Sequence, residues 1–209
     1  MITDRRRLGG EGDDALIERV RVAAHAGVHL IQVRERDLDA RALAGLTTRV
    51  LEAVRGTNAR VLVNDRVDVA IAAGAHGVHL RGDSLPAPRV RAIVPRGFLV
   101  GRSVHSREDA VRVADGGGVD YLMFGTVFAS ASKPGRMPAG VADLAAVTAA
   151  TRLPVLAVGG VELGRLREVA GTGAVGVAAI GMFAVCSPEG LQVVVREASM
   201  AFDTPVTVP

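Results

Sequence analysis

Several polar residues stand directly after short apolar runs, where a strand would hand over to a loop. They are Arg34-Glu35-Arg36, Asn64-Asp65-Arg66, His79 with Asp83-Ser84 behind it, Arg102-Ser103-Val104-His105, Gly125-Thr126, Gly159-Gly160 and Gly181. Ser130, Ser132 and Lys133 follow in a loop rich in Ser, Gly and Pro. Such a set suits the handling of an anion. Arg34, Arg36 and Lys133 bring cations from separate loops, and adjacent glycines let backbone N–H groups approach a phosphate closely. Gly159 and Gly160, with the loop at Gly181, are the candidate phosphate cradle. Lys133 is the only lysine among 25 Lys and Arg residues, and a compact ammonium supplies a point charge that a guanidinium fork does not.

His105 is the natural proton-transfer candidate, because imidazole titrates near neutral pH. His25, His29 and His76 fall at helix ends or early in a strand and read as structural. Asp65, with Asp83 nearby, offers oxygen ligands of the kind Mg²⁺ takes alongside a diphosphate. The bland alternative for Asp65 is an ion pair with Arg66 or another local arginine. No serine sits on a Gly-x-Ser-x-Gly elbow, so a Ser-His-Asp triad is not expected. Cys186 has no base near it in sequence and reads as an inert small residue.

Positioning these residues requires strands and helices in strict alternation. Apolar runs predict strands at about 1–4, 28–33, 60–63, 77–80, 98–103, 119–124, 154–158 and 174–180. Amphipathic stretches predict helices at about 13–26, 39–55, 66–73, 86–94, 106–114, 141–150, 162–170 and 188–198. Leu43, Leu46, Val50 and Val54 form one helical stripe, and Ser106 before Glu108 and Asp109 is a helix-start signal. The expected architecture is a single α/β domain, a (β/α)8 TIM barrel over 1–198, with a loose tail at 199–209. An open doubly wound sheet is the alternative, but no Gly-x-Gly-x-x-Gly follows the first strand. The stretch 129–140 is the one long internal loop, a candidate lid.

Composition narrows the classes. Hydrophobic residues are 49% and charged residues 22% of 209, ordinary globular usage. Aromatic content of 3% and a net charge of +3 give neither a basic stripe nor stacking platforms for nucleic acid. No apolar run is long enough to span a bilayer, and the N-terminal Arg5-Arg6-Arg7 is not followed by a signal-peptide core. One cysteine leaves no internal disulfide or cysteine-based zinc cluster. A cytoplasmic enzyme with no membrane or nucleic-acid partner is expected.

Read in order, the chain resembles the family of thiamine phosphate synthase and its TenI-type relative, the thiazole tautomerase. The resemblance rests on Ile31-Gln32-Val33-Arg34-Glu35-Arg36, Val63-Asn64-Asp65-Arg66-Val67-Asp68, Gly77-Val78-His79-Leu80 and Val100-Gly101-Arg102-Ser103-Val104-His105-Ser106. It continues through Asp120-Tyr121-Leu122-Met123-Phe124-Gly125, Pro154 to Val161 and Gly173 to Ala178. It implies a phosphorylated thiazole substrate and a homodimer, with Gln32, Arg34, Arg36, Asn64, His79, Ser103, Thr126, Ser130 and Ser132 contacting substrate. The synthase pattern would place Arg34 on a diphosphate, Asp65 on Mg²⁺, and Ser103, Ser130, Ser132 and Lys133 on phosphate oxygens. Arg36 and Ser84 depart from it, since the synthase has lysine and a second aspartate there. The tautomerase pattern agrees with Arg36, Ser84 and Gly101 to Ser106. It would make His105 the proton shuttle and Lys133 its partner over the anion, with no cofactor. Asp65 is synthase-like, and Thr126 fits neither branch. The tautomerase is the leading expectation, the synthase the alternative, and a non-catalytic phosphate-ligand sensor the third reading.

Overall fold

Parallel strands cannot be joined by tight turns, so a chain built from them must spend a crossover, normally a helix, between each pair. The computed structural model describes residues 1–8, 12–129, 135 and 137–203. Among them seven strands form one parallel sheet in sequential order: β1 (Leu30–Val33), β2 (Arg60–Asn64), β3 (Gly77–Leu80), β4 (Leu99–Val104), β5 (Tyr121–Phe124), β6 (Val155–Val158) and β7 (Gly176–Ala178). The helices are α1 (Gly12–His25), α2 (Ala40–Ala53), α3 (Val67–Ala72), α4 (Ala87–Arg91), α5 (Arg107–Gly116), α6 (Gly140–Ala150), α7 (Leu166–Ala170), α8 (Gly181–Ala184) and α9 (Pro188–Phe202). Sequential order with a helix after every strand excludes the open doubly wound arrangement, whose strand order reverses at a switch point.

Seven strands stand where eight were expected. The stretch at 1–4 makes only one bridge, Ile2 to Gln32. Its backbone is nonetheless bonded on both sides: Gln32 N donates to Met1 O and Thr3 N to Gln32 O, each at 2.9 Å, while Ile2 N donates to Ala179 O at 2.9 Å. Three residues are too few for a ladder, although they lie between β1 and the residue that follows β7.

Both faces of the sheet are apolar, as they must be for strands covered on both sides. Ile31, Val33, Val61, Val63, Val78 and Leu80 pack outward against the helices. Ile2, Leu62, Tyr121, Met123 and Ala178, with Leu30, Leu99 and Leu156, make a separate inner cluster. Side chains alternate along a strand with period two. The inner face therefore runs from Leu30 to Gln32, from Leu62 to Asn64, from Gly77 to His79 and from Gly101 to Ser103. The inner face changes from apolar to polar in one step toward the strand C-termini.

Helix ends follow their capping chemistry. Ser106 Oγ accepts from Asp109 N at 3.1 Å, and Asp109 Oδ2 accepts from His105 N at 3.2 Å. The same cap that starts α5 thus fixes the backbone of His105. Asp39 caps α2 and Ser187 caps α9 in the same manner.

Three of the boundary differences bear on the site or the tail. Gly181 does not end a strand but opens the short α8, because β7 stops at Ala178. The helix expected to end at 198 runs to Phe202, since Ala198, Ala201 and Phe202 still have a core to pack against. Four of the residues expected in the tail are therefore helical, and 204–209 lie outside the described residues. The helix expected over 162–170 begins as a 3₁₀ turn, Leu163–Arg165, before α7. Among the described residues, no helix is long and apolar enough to cross a membrane.

Candidate functional site

The polar layer at the C-terminal ends of the strands brings together residues far apart in sequence. Gln32 Nε2 donates to Asn64 Oδ1 at 3.0 Å. Gln32 is buried, and its Oε1 has no hydrogen-bond partner among the described residues. A buried carbonyl left without a donor is costly, so this oxygen is an acceptor ready for a ligand N–H or O–H. Next in the layer, His79 is 2% exposed. Its Nδ1 lies 3.0 Å from Tyr121 Oη and its Nε2 lies 2.9 Å from Ser103 Oγ. Burial, with Arg102 nearby, pushes the His79 imidazole down to about 3, so it is neutral at pH 7. Burial also pushes the Tyr121 phenol up, and it too stays neutral.

Asp65 follows β2 and is, among the described residues, the one non-glycine residue with a left-handed backbone, φ 64°. Aspartate tolerates that region better than most residues, and such conformations gather at functional sites. Ser84 Oγ donates to Asp65 Oδ1, and Arg81 Nη1 lies 3.5 Å from Asp65 Oδ2. The loop carrying Ser84 is stapled from β4: Arg102 donates to Leu85 O and Gly82 O, both at 2.8 Å, and to Ser84 O at 3.2 Å. The partnership expected between Asp65 and Asp83 is not seen. Asp83 is exposed and pairs with Arg81 instead, because the loop turns Ser84 inward. Arg66 pairs with Asp68 rather than Asp65.

No group of three or more His, Cys, Asp or Glu side chains that could hold a metal occurs among the described residues. Magnesium does not require one: it keeps several waters and takes one or two carboxylates plus substrate phosphates. Asp65 with its neighbouring Ser84 hydroxyl is a hard-oxygen pair of that kind. The chemistry of this pair is compatible with Mg²⁺ held chiefly by a ligand's own oxygens.

The loop after β1 is clamped from an unforeseen quarter. Glu35 is buried and accepts from Thr3 Oγ1 at 2.6 Å and from Arg5 N at 3.2 and 3.1 Å, through its two oxygens. Arg34 N in turn donates to Thr3 Oγ1 at 2.9 Å. Burial pushes the Glu35 carboxyl up. Arg34, half-buried between these anchors, has its guanidinium lowered by burial and then by Arg36, which is exposed. Nothing in a run of alternating charges says which member turns inward, so Glu35 carries no signal of this role in the sequence.

His105 stands exposed at the rim. Its Nδ1 lies 2.6 Å from Gly125 O. A carbonyl only accepts, so Nδ1 carries the proton and Nε2 is the nitrogen left for exchange. Thr126 is buried rather than open to the mouth, and Gly159 lies against it: a Cβ there would meet Thr126 Cγ2 at 2.5 Å. At Gly160 it would meet Ala129 O at 2.3 Å, and both glycines have positive φ, 97° and 64°. The glycine pair therefore has a packing reason as well as its expected phosphate role. Ser130, Ser132 and Lys133 lie outside the described residues. The loop's base is tied by Ala139 N donating to Thr126 O and Gly140 N to Val127 O, each at 2.9 Å.

The structural histidines behave as expected. His76 Nδ1 accepts from Val61 N at 2.9 Å, and His25 Nδ1 bonds Arg21 O at 2.8 Å. A cavity of about 310 Å³ lies toward the opposite, N-terminal end of the strands, walled by Leu30, Leu62, Leu156, Val177 and Phe202, and Gln32 is the one expected site residue that reaches it. The polar chemistry lies above that cavity, not in it.

Comparison with known proteins agrees with this arrangement. The family model described as thiamine monophosphate synthase matches residues 1–183. The thiamine-phosphate synthase of Roseiflexus sp. is 40% identical over 181 residues, 86% of this chain and 75% of that one. That of Methanoculleus marisnigri is 44% identical over 161 residues, 77% of this chain and 76% of its own. Among solved structures, thiamine phosphate pyrophosphorylase from Pyrococcus furiosus superposes with a TM-score of 0.80 at 32% identity, covering 94% of both chains. A 3-hexulose-6-phosphate synthase superposes at 0.69 with 21% identity over 91% of this chain and 94% of that one, which shows the shared fold alone. A match running from the first residue through β7 and α8, on a sheet whose polar strand ends hold the family's motifs, places this chain in the thiamine monophosphate synthase family of thiamine biosynthesis.

Proposed function

We propose that this protein is a thiamine phosphate synthase, joining an aminopyrimidine diphosphate to a thiazole phosphate with release of diphosphate. In the reaction the thiazole nitrogen forms a bond to the pyrimidine's exocyclic carbon as that carbon's bond to the diphosphate oxygen breaks. The observation that carries the reading is the unpartnered, buried Gln32 Oε1 beside Asn64. An aminopyrimidine supplies the N–H donor that this oxygen lacks. The relatives' synthase names support the same reading. They give none to the tautomerase that Arg36 and Ser84 suggested.

Roles for the chain's residues follow. Asp65 and Ser84 would hold Mg²⁺, which when bound neutralises the departing diphosphate. Arg34 faces that anion as a half-buried cation, more potent there than in water. Ser103 donates to a phosphate oxygen, and Gly159 and Gly160 with the loop at Gly181 take the thiazole phosphate. Lys133, Ser130 and Ser132, outside the described residues, carry the further phosphate contacts only as the family resemblance implies. For the fold, we infer a closed eight-stranded barrel with Met1–Thr3 as a minimal first strand, which the hydrogen bonds to Gln32 and Ala179 support.

His105 favours the second reading, a proton-shuttling tautomerase, because its Nε2 is exposed and unburdened. Replacing it separates the two. In a synthase, His105→Ala leaves the rate of joining within about fivefold of wild type, since no proton need be moved there, whereas loss of an acid–base group costs about 10²- to 10⁴-fold. Metal-independent isomerisation of a carboxythiazole phosphate that disappears in His105→Ala, with no joining activity in the parent, would overturn the synthase reading.

A further inference from the structure

One buried group lies outside the roles assigned above. Tyr121 is the chain's only tyrosine, it is 6% exposed, and its phenol meets one partner among the described residues, His79 Nδ1. The register explains how it reaches that far. His79 pairs with Gly101, and Gly101 with Tyr121, in one row across β3, β4 and β5. The tyrosine ring lies over the glycine between them: a Cβ at position 101 would sit 2.1 Å from Tyr121 Cζ. The ring centroids of His79 and Tyr121 end 5.7 Å apart. A hydrogen-bonded line then runs from Tyr121 Oη through His79 to Ser103 Oγ, from the apolar inner cluster to the mouth.

We propose that Tyr121 is a positioning residue that fixes the His79 tautomer and thereby makes Ser103 a hydrogen-bond donor to the substrate's anionic oxygens. Neutral imidazole has one N–H and two candidate arrangements. If Nδ1 held the hydrogen, it would donate to the phenol oxygen, and the phenol O–H would be buried with no acceptor, an expensive orphan. With the phenol donating to Nδ1, the imidazole hydrogen sits on Nε2 and goes to Ser103 Oγ. The lone pair of Ser103 is then engaged from behind, and its own hydrogen is released toward the mouth. The opposite tautomer would draw that hydrogen into His79 and present lone pairs to an anion. Repulsion would replace attraction at the same 2.9 Å geometry. The phenol decides which occurs without touching the ligand.

This inference rests on the synthase reading for the identity of the ligand, but not for the tautomer. The test uses the whole protein, ¹⁵N-labelled at histidine. The His79 resonances of wild type should show Nδ1 as an unprotonated acceptor and Nε2 as protonated, a readout that needs neither variant nor substrate. In Tyr121→Phe the bias is lifted, so the single tautomer should give way to a mixture. With the donor form of Ser103 then only about half populated, affinity for inorganic pyrophosphate with Mg²⁺ should fall about twofold. A purely structural tyrosine would lower Tm without moving the tautomer or the pyrophosphate affinity. A protonated Nδ1 in wild type, or unchanged pyrophosphate binding in Tyr121→Phe, would overturn the proposal. Wild type that shows the Nε2–H tautomer but binds no pyrophosphate would sink the synthase reading and leave the tautomer assignment standing.

Discussion

Asp65→Asn is expected to lower kcat/KM for the joining reaction by about 10²- to 10³-fold, the cost of removing one charge-stabilising contact from a developing anion. The substitution is chosen for its backbone as much as its charge. Position 65 has φ 64°, a region that asparagine tolerates and alanine does not favour, so the loop keeps its shape. Ser84 Oγ can still donate to the amide oxygen. What is lost is the carboxylate proposed to bind Mg²⁺ beside the diphosphate: Asp65 is half-buried and bonded to Ser84, whereas Asp83 is exposed and points to Arg81. Steady-state kinetics over a range of Mg²⁺ concentrations checks this. Loss of rate that no Mg²⁺ concentration restores is the expected result, and wild-type Mg²⁺ dependence in the variant would remove Asp65 from the metal site.

The second large effect is on stability against pH. His79 titrates at about 3 in the folded protein, against 6.5 in an exposed chain. Between those values the unfolded state binds more protons, so stability rises with pH through the window. It is complete above pH 6.5 and is lost as pH falls toward 3. Each pH unit inside the window is worth about 1.4 kcal/mol, so going from pH 6.5 to pH 4.5 gives a loss of about 2–3 kcal/mol. Other groups titrate at the acidic end, and His79→Gln isolates the contribution. Urea denaturation at several pH values should give a steeper fall for wild type than for the variant, and parallel slopes would mean that His79 is accessible to protons when folded.

The sequence carried the site's addresses better than its contacts. Apolar runs placed Asn64, His79 and Ser103 at the ends of β2, β3 and β4, since a strand-length run needs no tertiary knowledge, and the family resemblance added Gln32 on β1. The partner of each residue depended on loop direction, which local patterns do not encode. Asp83 and Ser84 are adjacent, and only the turn after β3 decides that Ser84 meets Asp65. Glu35 joins Thr3 across 32 residues of sequence, and its flanking arginines read as one exposed charged run. The reach of Tyr121 to His79 has no local signal, because the space it occupies is made by a glycine on the neighbouring strand. Gly181 was assigned to a strand end because the apolar run before it continues past Ala178, where pairing stops. The family resemblance was legible throughout, but its branches differ at few positions, and Arg36 and Ser84 drew the reading toward the tautomerase. Ser84 fits the synthase as well, once it is seen bonded to Asp65.

The most direct test is to follow ³¹P resonances while the purified protein is incubated with aminopyrimidine diphosphate, thiazole phosphate and Mg²⁺. Inorganic diphosphate should appear in step with thiamine phosphate, one for one, and stop when EDTA is added. A spectrum in which the substrate diphosphate stays intact in the presence of Mg²⁺ and thiazole phosphate would contradict the account.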